Sequence, residues 1–463
     1  MQSKLIMETR HIQHLYWRAG FGISPKDLNN LIGKSRDEIV EDLFYESRRP
    51  VPIDIDHSEF RNLNIQHLLE DKVELRKVKE QMKLKLVDLN LAWIERLSNP
   101  KGLLREKMTL FWANHFVCRE NMSMYAEQYN NTLRENALGN LRSFTKAVSR
   151  EPAMIKYLNL KNNRRKRPNE NFARELMELF LLGNHHYTEK DIKQSARAFT
   201  GYDFDFLGEF KFRRMLHDFG RKTFFGRKGM FSGDEIIDII LVEKQCARFI
   251  CEKIYTYFVK EDLNQNHIEQ MVKVFYPNYD IEKLMRFVFM SNWFYEEENI
   301  GTKIKSPIEF LVGIHNVVPL KFTNAKQLLG IQKMLGQILL YPPNVSGWQG
   351  GKGWIDSNTI LLRLRLPSIL LSNAMIPLRG SNDFYDKFYT VGRSKRTMNP
   401  FKVETNWKQF SANFEDVAIE TMQNYLFQGN INTGTENLLN KIRKTSKSDF
   451  CVQLMSVPEY QMC

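Results

Sequence analysis

The sequence predicts a mainly α fold, a multi-helix globular array with one small β-hairpin near residues 202–212. Three observations predict it. Apolar side chains recur at helical spacing through most of the chain, helix start and stop signals bracket many of these segments, and the period changes to two only around Tyr202–Phe212. With 463 residues, 43% of them hydrophobic, the chain can bury a large core.

Charge and cysteine content limit the functions to be considered. The chain has 67 Lys and Arg residues against 54 Asp and Glu, a net charge of +13, which favours nucleic acid, an acidic membrane surface or an anionic ligand as partner. The five cysteines form no Cys-x-x-Cys pair, so we expect reduced thiols rather than a disulfide framework or a zinc site. The first residues lack an apolar signal region, and no run of about 18 apolar residues occurs, which predicts a cytoplasmic protein without a transmembrane segment.

Residues 1–160 are assigned to an N-terminal helical part of the core. A helix from His11 runs into a glycine-rich turn, and residues 60–98 form one long helix or two joined helices. The segment Glu106–Cys118 is apolar nearly all the way round a helical wheel, which predicts a central, buried helix. His115 on that helix must hydrogen-bond, remain neutral or bind a metal, so it is a candidate ligand or catalytic residue as well as an ordinary core histidine.

Residues 161–375 form the predicted central part, which contains the hairpin and the glycine-rich loops. Its main element is a helix over Pro168–Gly183, with Asn169 as N-cap and Gly183 as the C′ residue. The polar face of this helix carries Asn171, Arg174, Glu175 and Glu178. Such a half-buried cluster needs partners, because unpaired buried charge is strongly unfavourable.

Two interpretations of that polar face stay open. Glu175 and Glu178 are three residues apart, so both carboxylates can face one metal ion, as in metal sites of helical bundles. Arg174 beside them favours the alternative, a buried ion-pair network that holds helices in register.

The densest positive run of the chain, Lys161–Arg167, immediately precedes this helix. Because helix N-termini attract anions, Arg164, Arg165 and Arg167 are candidate anion ligands, together with Arg174. The run has no interleaved aromatic residues to stack bases, so a solvated loop is the alternative.

Two loops carry further candidates. The hairpin leads into a polar, aromatic loop with His217 and Asp218 as candidate acid/base groups and Lys222 as a candidate anion ligand. A glycine-rich loop further on carries Asn344 and Trp348, which either cover a pocket or fill the edge of the core.

The remaining signals concern the end of the chain. In Lys305-Ser-Pro-Ile-Glu309, Ser306 is a predicted helix cap, with Pro307 at the first helical position and Glu309 at N3. Residues 376–463 are predicted to contain a linker or insertion, within 380–406, followed by C-terminal helices.

Several of these segments together resemble the bacterial family catalogued as domain of unknown function 1800. The matching segments are His14–Gly22, Phe111–Phe116, Pro168–Gly183, Tyr187–Glu189, Ala198–Gly201, His217-Asp218, Lys222–Phe224, Lys305–Glu309, Pro342–Trp348 and the closing Ser456–Gln461. Tyr202 stands where the family pattern has Trp, and His185-His186 stand where small residues are usual, so the His pair is not favoured as a shared site.

The resemblance implies a mainly helical fold and carries no established activity. Members of the family often lie beside a gene for an exported sulfatase-like protein, which implies a sulfatase-like, cell-surface or polysaccharide-related partner. This implication leaves export or surface association open beside the cytoplasmic prediction.

Two function hypotheses belong to different classes, and whether the chain is an enzyme stays open. The first is a binding or scaffold protein that acts with a cell-surface or polysaccharide-related partner. The second is a metal-dependent or general acid/base hydrolase. Its catalytic groups are His115, Glu175, Glu178, His217 and Asp218, and all of these except Asp218 are also proposed ligands of one divalent metal ion.

The third hypothesis is binding of a polyanion through residues 161–167. The proposed anion or substrate ligands of the whole chain are Arg164, Arg165, Arg167, Arg174, Lys222, Asn344 and Trp348. No nucleic-acid recognition motif accompanies the positive charge, so nucleic acid is not favoured as the polyanion.

Overall fold

The computed structural model describes residues 6–61, 65–324, 326–372, 401–441 and 444–463. Over these residues the chain is mainly α-helical, which confirms the predicted fold class. The expected linker or insertion falls largely on residues 373–400, outside the described residues. Within the described ranges, no helix is long and apolar enough to cross a membrane.

The helices are numbered in chain order. Their bounds are α1 Thr9–Ala19, α2 Pro25–Asn29, α3 Arg36–Glu46, α4 Ser58–Arg61, α5 Ile65–Glu70, α6 Lys72–Ser98, α7 Leu103–His115, α8 Ser123–Asn136, α9 Leu141–Arg150, α10 Pro152–Tyr157, α11 Asn171–Glu175, α12 Glu189–Ala198, α13 Gly233–Ile240, α14 Lys244–Phe258, α15 Gln265–Phe275, α16 Ile281–Met290, α17 Pro307–Val317, α18 Lys326–Leu335, α19 Ser357–Ser372, α20 Trp407–Asn413, α21 Gln423–Leu426, α22 Thr433–Lys441 and α23 Lys447–Met455. A π-helical turn, Leu176–Leu181, continues α11 directly.

The strands form three antiparallel pairs. They are β1 Tyr202–Phe204 with β2 Phe210–Phe212, β3 Lys222–Phe224 with β4 Arg227–Gly229, and β5 Leu320–Phe322 with β6 Val403–Thr405. The first pair is the predicted hairpin, with Tyr202 opposite Phe212. The other two pairs were not predicted. Arg227–Gly229 shows no alternation of apolar residues, and Leu320–Phe322 pairs with a strand far away in the sequence.

Local capping signals in the sequence place the helix starts accurately. The Ser306 hydroxyl accepts a hydrogen bond from the Glu309 amide at 3.3 Å, and the Glu309 carboxylate accepts one from the Ser306 amide at 2.7 Å. Pro307 occupies the first position of α17, as predicted. Thr188 and Asp191 form the same reciprocal capping box at the start of α12.

The predicted helix over Pro168–Gly183 is shorter and less regular than expected. It begins at Asn171, because the Asn169 side chain accepts a hydrogen bond from the Asn171 amide at 3.0 Å and holds the preceding residues in a turn. From Leu176 the helix widens into the π-helical turn. Gly183 ends it with a φ of +81°, and its amide donates to the Met177 carbonyl at 3.2 Å, as its predicted C′ position requires.

The hydrophobic core consists of one large cluster drawn from residues 7–295 and two smaller clusters. One smaller cluster is built from residues 310–460, and the other joins N-terminal helices to α17. The helix predicted around Glu106–Cys118, α7, is buried along nearly its whole length, with Met108 and Trp112 inaccessible to solvent. Its C-terminal half lies where α14 and α17 approach it.

Candidate functional site

A cleft of about 660 Å³ lies between the C-terminal half of α7, the middle of α14, the start of α17 and the glycine-rich loop. α7 contributes His115, α14 contributes Lys253 and Tyr257, and the region around the start of α17 contributes Lys303 and Glu309. With Glu252 and Glu261 also in its lining, the cleft combines two lysines, three carboxylates, an imidazole and aromatic rings in one concave surface, a composition typical of ligand sites.

His115 forms part of the wall of the cleft and is the last residue of α7. Its Nε2 lies 2.9 Å from the Phe180 carbonyl oxygen, which can only accept, so Nε2 carries the proton. Phe180 is in the last turn of its helix, where carbonyls lack helical donors. Burial, reinforced by the charge of Lys253, lowers the pKa of His115 to about 3, so the imidazole is neutral at physiological pH.

A buried ion cluster forms the floor of the cleft. The fully buried Glu309 carboxylate accepts hydrogen bonds from Lys107 Nζ at 2.5 Å and from Lys303 Nζ at 3.2 Å. Burial alone raises the pKa of Glu309, but the two lysines and the Ser306 amide outweigh it, and the pKa falls below its usual value. Burial lowers the pKa of Lys107 to about 8 against the opposing effect of Glu309. Two ammonium groups thus share one carboxylate.

Lys253 adds a further cation to the cleft. Its side chain is exposed, and its ammonium group lies 5.1 Å from the centre of the Phe249 ring. Over the described ranges, no residue pairs with it or accepts a hydrogen bond from it. The surrounding atoms remove part of its hydration and lower its pKa, while Glu252 opposes this shift.

The glycine-rich loop closes one side of the cleft and is fixed to α7. Asn114 binds the main chain of Trp348 in both directions: its Oδ1 accepts from the Trp348 amide at 2.7 Å, and its Nδ2 donates to the Trp348 carbonyl at 3.1 Å. Gly351 has a φ of +52°, and a Cβ atom there would overlap the Glu261 carboxylate. Trp348 and Trp354 line the cleft and are almost completely buried.

Asn344, a predicted ligand in the same loop, has a local structural contact. Its Oδ1 accepts a hydrogen bond from the Ser346 amide at 2.9 Å, which closes a turn. The side chain is exposed and does not line the cleft. Trp348, predicted in the same loop, does line it.

The polar face of the helix predicted over Pro168–Gly183 contacts α12 and the turn before it. Arg174 binds both carboxylate oxygens of Glu189, at 2.8 and 3.0 Å, and lies 3.6 Å from Glu170. Glu178 accepts a hydrogen bond from the Tyr187 hydroxyl at 2.7 Å. Arg174 therefore makes its ion pairs away from the two predicted site carboxylates.

Glu175 is half-buried beside Glu178. Burial and the neighbouring Glu178 charge raise its pKa, and Arg174 only partly offsets them. The helix reaches the cleft through Leu179 and the Phe180 carbonyl rather than through its carboxylates.

His217, Asp218 and Lys222 lie close together, and their side chains stabilise the loop that carries them. His217 is buried and donates from Nδ1 to the Thr200 carbonyl at 2.7 Å. The Asp218 carboxylate is bound on both oxygens by Arg197, at 2.7 and 3.2 Å. Lys222 is buried with its ammonium group donating to the Asp218 and Gly220 carbonyls, at 2.6 and 3.1 Å.

The pKa shifts of His217, Asp218 and Lys222 agree with a structural role for the loop. Burial lowers the pKa of His217, and it also lowers the pKa of Lys222. Burial raises the pKa of Asp218, but the hydrogen bonds from Arg197 and the Gly220 amide outweigh it and leave the pKa below its usual value. Each polar group is therefore satisfied within the loop or by α12.

The four residues predicted as metal ligands, His115, Glu175, Glu178 and His217, do not form one site. In the part of the chain that the structure describes, no three His, Cys, Asp or Glu side chains group as metal ligands. His115 is instead bound to a carbonyl, Glu178 to a tyrosine and His217 to a threonine.

The cleft contains six charged residues that the sequence did not mark as site residues: Lys107 beneath the floor, and Glu252, Lys253, Glu261, Lys303 and Glu309 in the lining. The sequence contained one signal of this buried ion cluster. Lys107 is a lysine on a helix predicted to be buried all round, which requires a buried counter-ion. Glu309 was interpreted only as the N3 residue of a helix cap, and its second function as that counter-ion depends on a contact across 202 residues of sequence.

The fold and the cleft together define a mainly helical protein with a polar and aromatic cleft as its candidate site. A family model described as "Protein of unknown function (DUF1800)" matches residues 14–462, so the chain belongs to that family and the resemblance is confirmed. No curated protein and no solved structure matches the chain. Four of the segments that carry the resemblance contribute lining residues to the cleft, namely Phe111–Phe116, Pro168–Gly183, Lys305–Glu309 and Pro342–Trp348.

Proposed function

We propose that this chain is a binding protein and that the cleft takes a small anionic carbohydrate, such as a uronic acid or a sugar ester of sulfate or phosphate. The observation that carries the proposal is Lys253, an exposed ammonium group in the cleft that has no ionic partner among the described residues. A cation held in a concave site favours an anionic ligand.

The floor of the cleft supports the same ligand charge. Lys107 and Lys303 share the single carboxylate of Glu309, so the buried cluster keeps a positive excess. An anionic group bound between Lys253 and Lys303 would reduce that excess where water is partly excluded, and hydrogen bonds between charged groups are strongest there.

The aromatic lining supports the carbohydrate part of the proposal. Trp348 and Trp354 line the side of the cleft formed by the glycine-rich loop. Sugar rings present C–H faces that pack on aromatic surfaces, while their hydroxyl groups need polar partners. Such a ligand agrees with the polysaccharide-related partner that the family resemblance implies, and a sulfatase-like protein remains a proposed partner on the same ground.

The hydrolase hypothesis receives less support from this geometry. A general base works best with a pKa near the operating pH, whereas the pKa of His115 is about 3. Glu309 already accepts hydrogen bonds from two lysines and one amide. A binding function therefore explains more features of the cleft than a proton-transfer function does.

Titration calorimetry with glucuronate and with glucose tests the proposal. We expect glucuronate to bind and glucose to bind much more weakly. Lys253→Gln should weaken glucuronate binding about 10-fold or more, since a hydrogen bond to a charged group contributes about 1.5–3 kcal/mol. Lys244→Gln, an exposed lysine on the same helix, is the matched control and should leave the affinity unchanged.

Two results would refute the proposal: equal binding of glucuronate and glucose, or an affinity for anionic sugars that does not depend on Lys253. The panel should include a sulfated and a phosphorylated monosaccharide, because each presents the same anionic chemistry to Lys253. Failure of the whole panel to bind would also count against it.

A further inference from the structure

We propose that a second surface, distinct from the cleft and independent of its ligand, docks on an acidic lipid membrane. We call it the basic-apolar surface. It comprises Arg164, Arg165, Lys166, Arg167, Arg214 and Arg221 together with the exposed apolar side chains of Phe212, Met215 and Phe219.

The basic run Lys161–Arg167 is an ordered turn packed on the hairpin region. Arg164 and Arg167 close it with reciprocal main-chain hydrogen bonds, at 3.3 and 2.8 Å. The Arg165 amide donates to the Leu216 carbonyl at 2.8 Å. This contact brings Arg164, Arg165, Lys166 and Arg167 beside a 3-10 turn, Arg214–Leu216, which is more than forty positions away in the sequence.

The same contact supplies the apolar groups that the basic run lacks in sequence. Met215 is 83% exposed and Phe219 is 51% exposed, and the Arg214 guanidinium lies 5.8 Å from the centre of the Phe219 ring. Phe212 on the adjoining strand is 42% exposed. Apolar side chains this exposed, next to a group of cations, are typical of surfaces that bind a partner.

The acidic side chains of the described residues near this surface pair with other cations. Asp203 pairs with Lys161 at 3.0 Å and with Arg213 at 3.1 Å, and Asp218 is bound by Arg197. Over the described ranges, Arg164, Arg165, Lys166, Arg167, Arg214 and Arg221 have no acidic partner. The surface therefore presents six unpaired positive charges.

The surface is also preformed, so its ordering costs little on binding. The Gly201 amide donates to the Asn163 carbonyl at 3.0 Å, and the Arg213 amide donates to the Gly201 carbonyl at 2.8 Å. Asn163, which is buried, additionally binds the Ala196 carbonyl at 2.7 Å. The turn, the hairpin and α12 are thus held together by main-chain contacts.

A membrane fits this combination better than a nucleic acid does. Basic side chains attract acidic headgroups, and a neighbouring apolar side chain can enter the boundary between headgroups and acyl chains. Phe212 and Phe219 have rings on which a base could stack, but Met215, the most exposed of the three at 83%, has none and suits the acyl boundary of a membrane instead.

Vesicle co-sedimentation of the full chain tests the inference. We expect binding to vesicles of equal phosphatidylserine and phosphatidylcholine, and none to vesicles of phosphatidylcholine alone. Changing all four residues 164–167 to Gln should weaken the partition coefficient on the order of 100-fold or more, since each basic residue near an acidic membrane contributes about 1 kcal/mol. Added salt should weaken binding as well.

Two matched controls separate this surface from net charge and from general hydrophobicity. The variant with Lys72, Lys77, Lys79 and Lys408 all changed to Gln loses the same charge from exposed positions elsewhere, and it should bind like the parent chain. Met215→Gln should weaken binding about 5-fold through lost apolar insertion, whereas Leu84→Gln, at a 71% exposed site elsewhere, should not.

Three results would overturn the inference: no binding to the acidic vesicles, equal loss in the 164–167 variant and its charge-matched control, or binding that does not respond to Met215→Gln. A fourth would replace it: single-stranded polynucleotide bound more tightly than acidic vesicles, with the 164–167 variant defective and Met215→Gln unaffected, would identify a nucleic acid as the partner.

Discussion

Replacing Glu309 with Gln should destabilise the protein strongly, and the loss should shrink as the pH rises. The substitution keeps the shape of a fully buried side chain and removes the one carboxylate among the described residues that Lys107 and Lys303 contact. Removing one partner of a buried ion pair costs about 3–5 kcal/mol, because the other charge stays buried without compensation. Here two ammonium groups lose their shared partner, so we expect a destabilisation toward the upper end of that range.

The pH dependence follows from the ammonium groups. In the parent chain, burial has already lowered the pKa of Lys107 to about 8, below its value of about 10.5 in an unfolded chain. A lysine with a lowered native pKa makes the protein more stable as pH rises between those two values, because the unfolded chain holds more protons there. Without Glu309 the native pKa falls further, so part of the lost stability should return between neutral and mildly alkaline pH.

Urea unfolding followed by circular dichroism at several pH values measures this effect. We expect a large fall in the midpoint at pH 7, with an unchanged slope, and a smaller fall at pH 9. Glu189→Gln is the control, because its carboxylate is exposed beside Arg174 and its loss should change the midpoint little. A Glu309→Gln midpoint equal to that of the parent, or a deficit that does not depend on pH, would refute the ion-cluster account.

Three further predictions concern the surroundings of the cleft. Lys305, whose pKa burial lowers to about 7, should make the parent chain more stable as pH rises from about 7 to about 10.5, and Lys305→Met should remove this contribution in urea titrations and leave the rise above about pH 8 that Lys107 supplies. Gly351→Ala should weaken glucuronate binding, measured by calorimetry, because its Cβ displaces the Glu261 carboxylate. Asn114→Ala should shift tryptophan emission to the red and lower stability by about 1–3 kcal/mol, because both main-chain groups of Trp348 lose their partner.

The sequence predicted most reliably those features that a few neighbouring residues determine. The capping box at Ser306 and Glu309 depends on residues three positions apart, so its pattern can be recognised without the fold. The hairpin at Tyr202–Phe212 and the buried helix around His115 were predicted for the same reason, from their hydrophobic period.

The site could be predicted only in part, because its contacts join distant segments. Asn114 and Trp348 are 234 residues apart, and hydrogen bonds from the Asn114 side chain to the Trp348 main chain join them, a pairing that no local sequence pattern records. The partner of Arg174 is Glu189, on the next helix, although two nearer carboxylates lie on the same helical face. Periodicity predicts which face a residue occupies, but packing decides which neighbour that face meets.

The helix predicted over Pro168–Gly183 reaches the cleft through Leu179 and through the Phe180 carbonyl, and the carbonyl contact narrows the class of ligand. The Phe180 carbonyl holds the proton of His115 on Nε2, so Nδ1 is unprotonated, and the low pKa keeps it so at neutral pH. His115 can then offer the cleft only an acceptor, whereas Lys253 and Lys303 offer donors. A simple carboxylate such as acetate has no donor for an imidazole, but an acidic sugar has hydroxyl groups as well as its carboxylate. The cleft should therefore bind glucuronate more tightly than acetate, and equal affinities would contradict this assignment of His115.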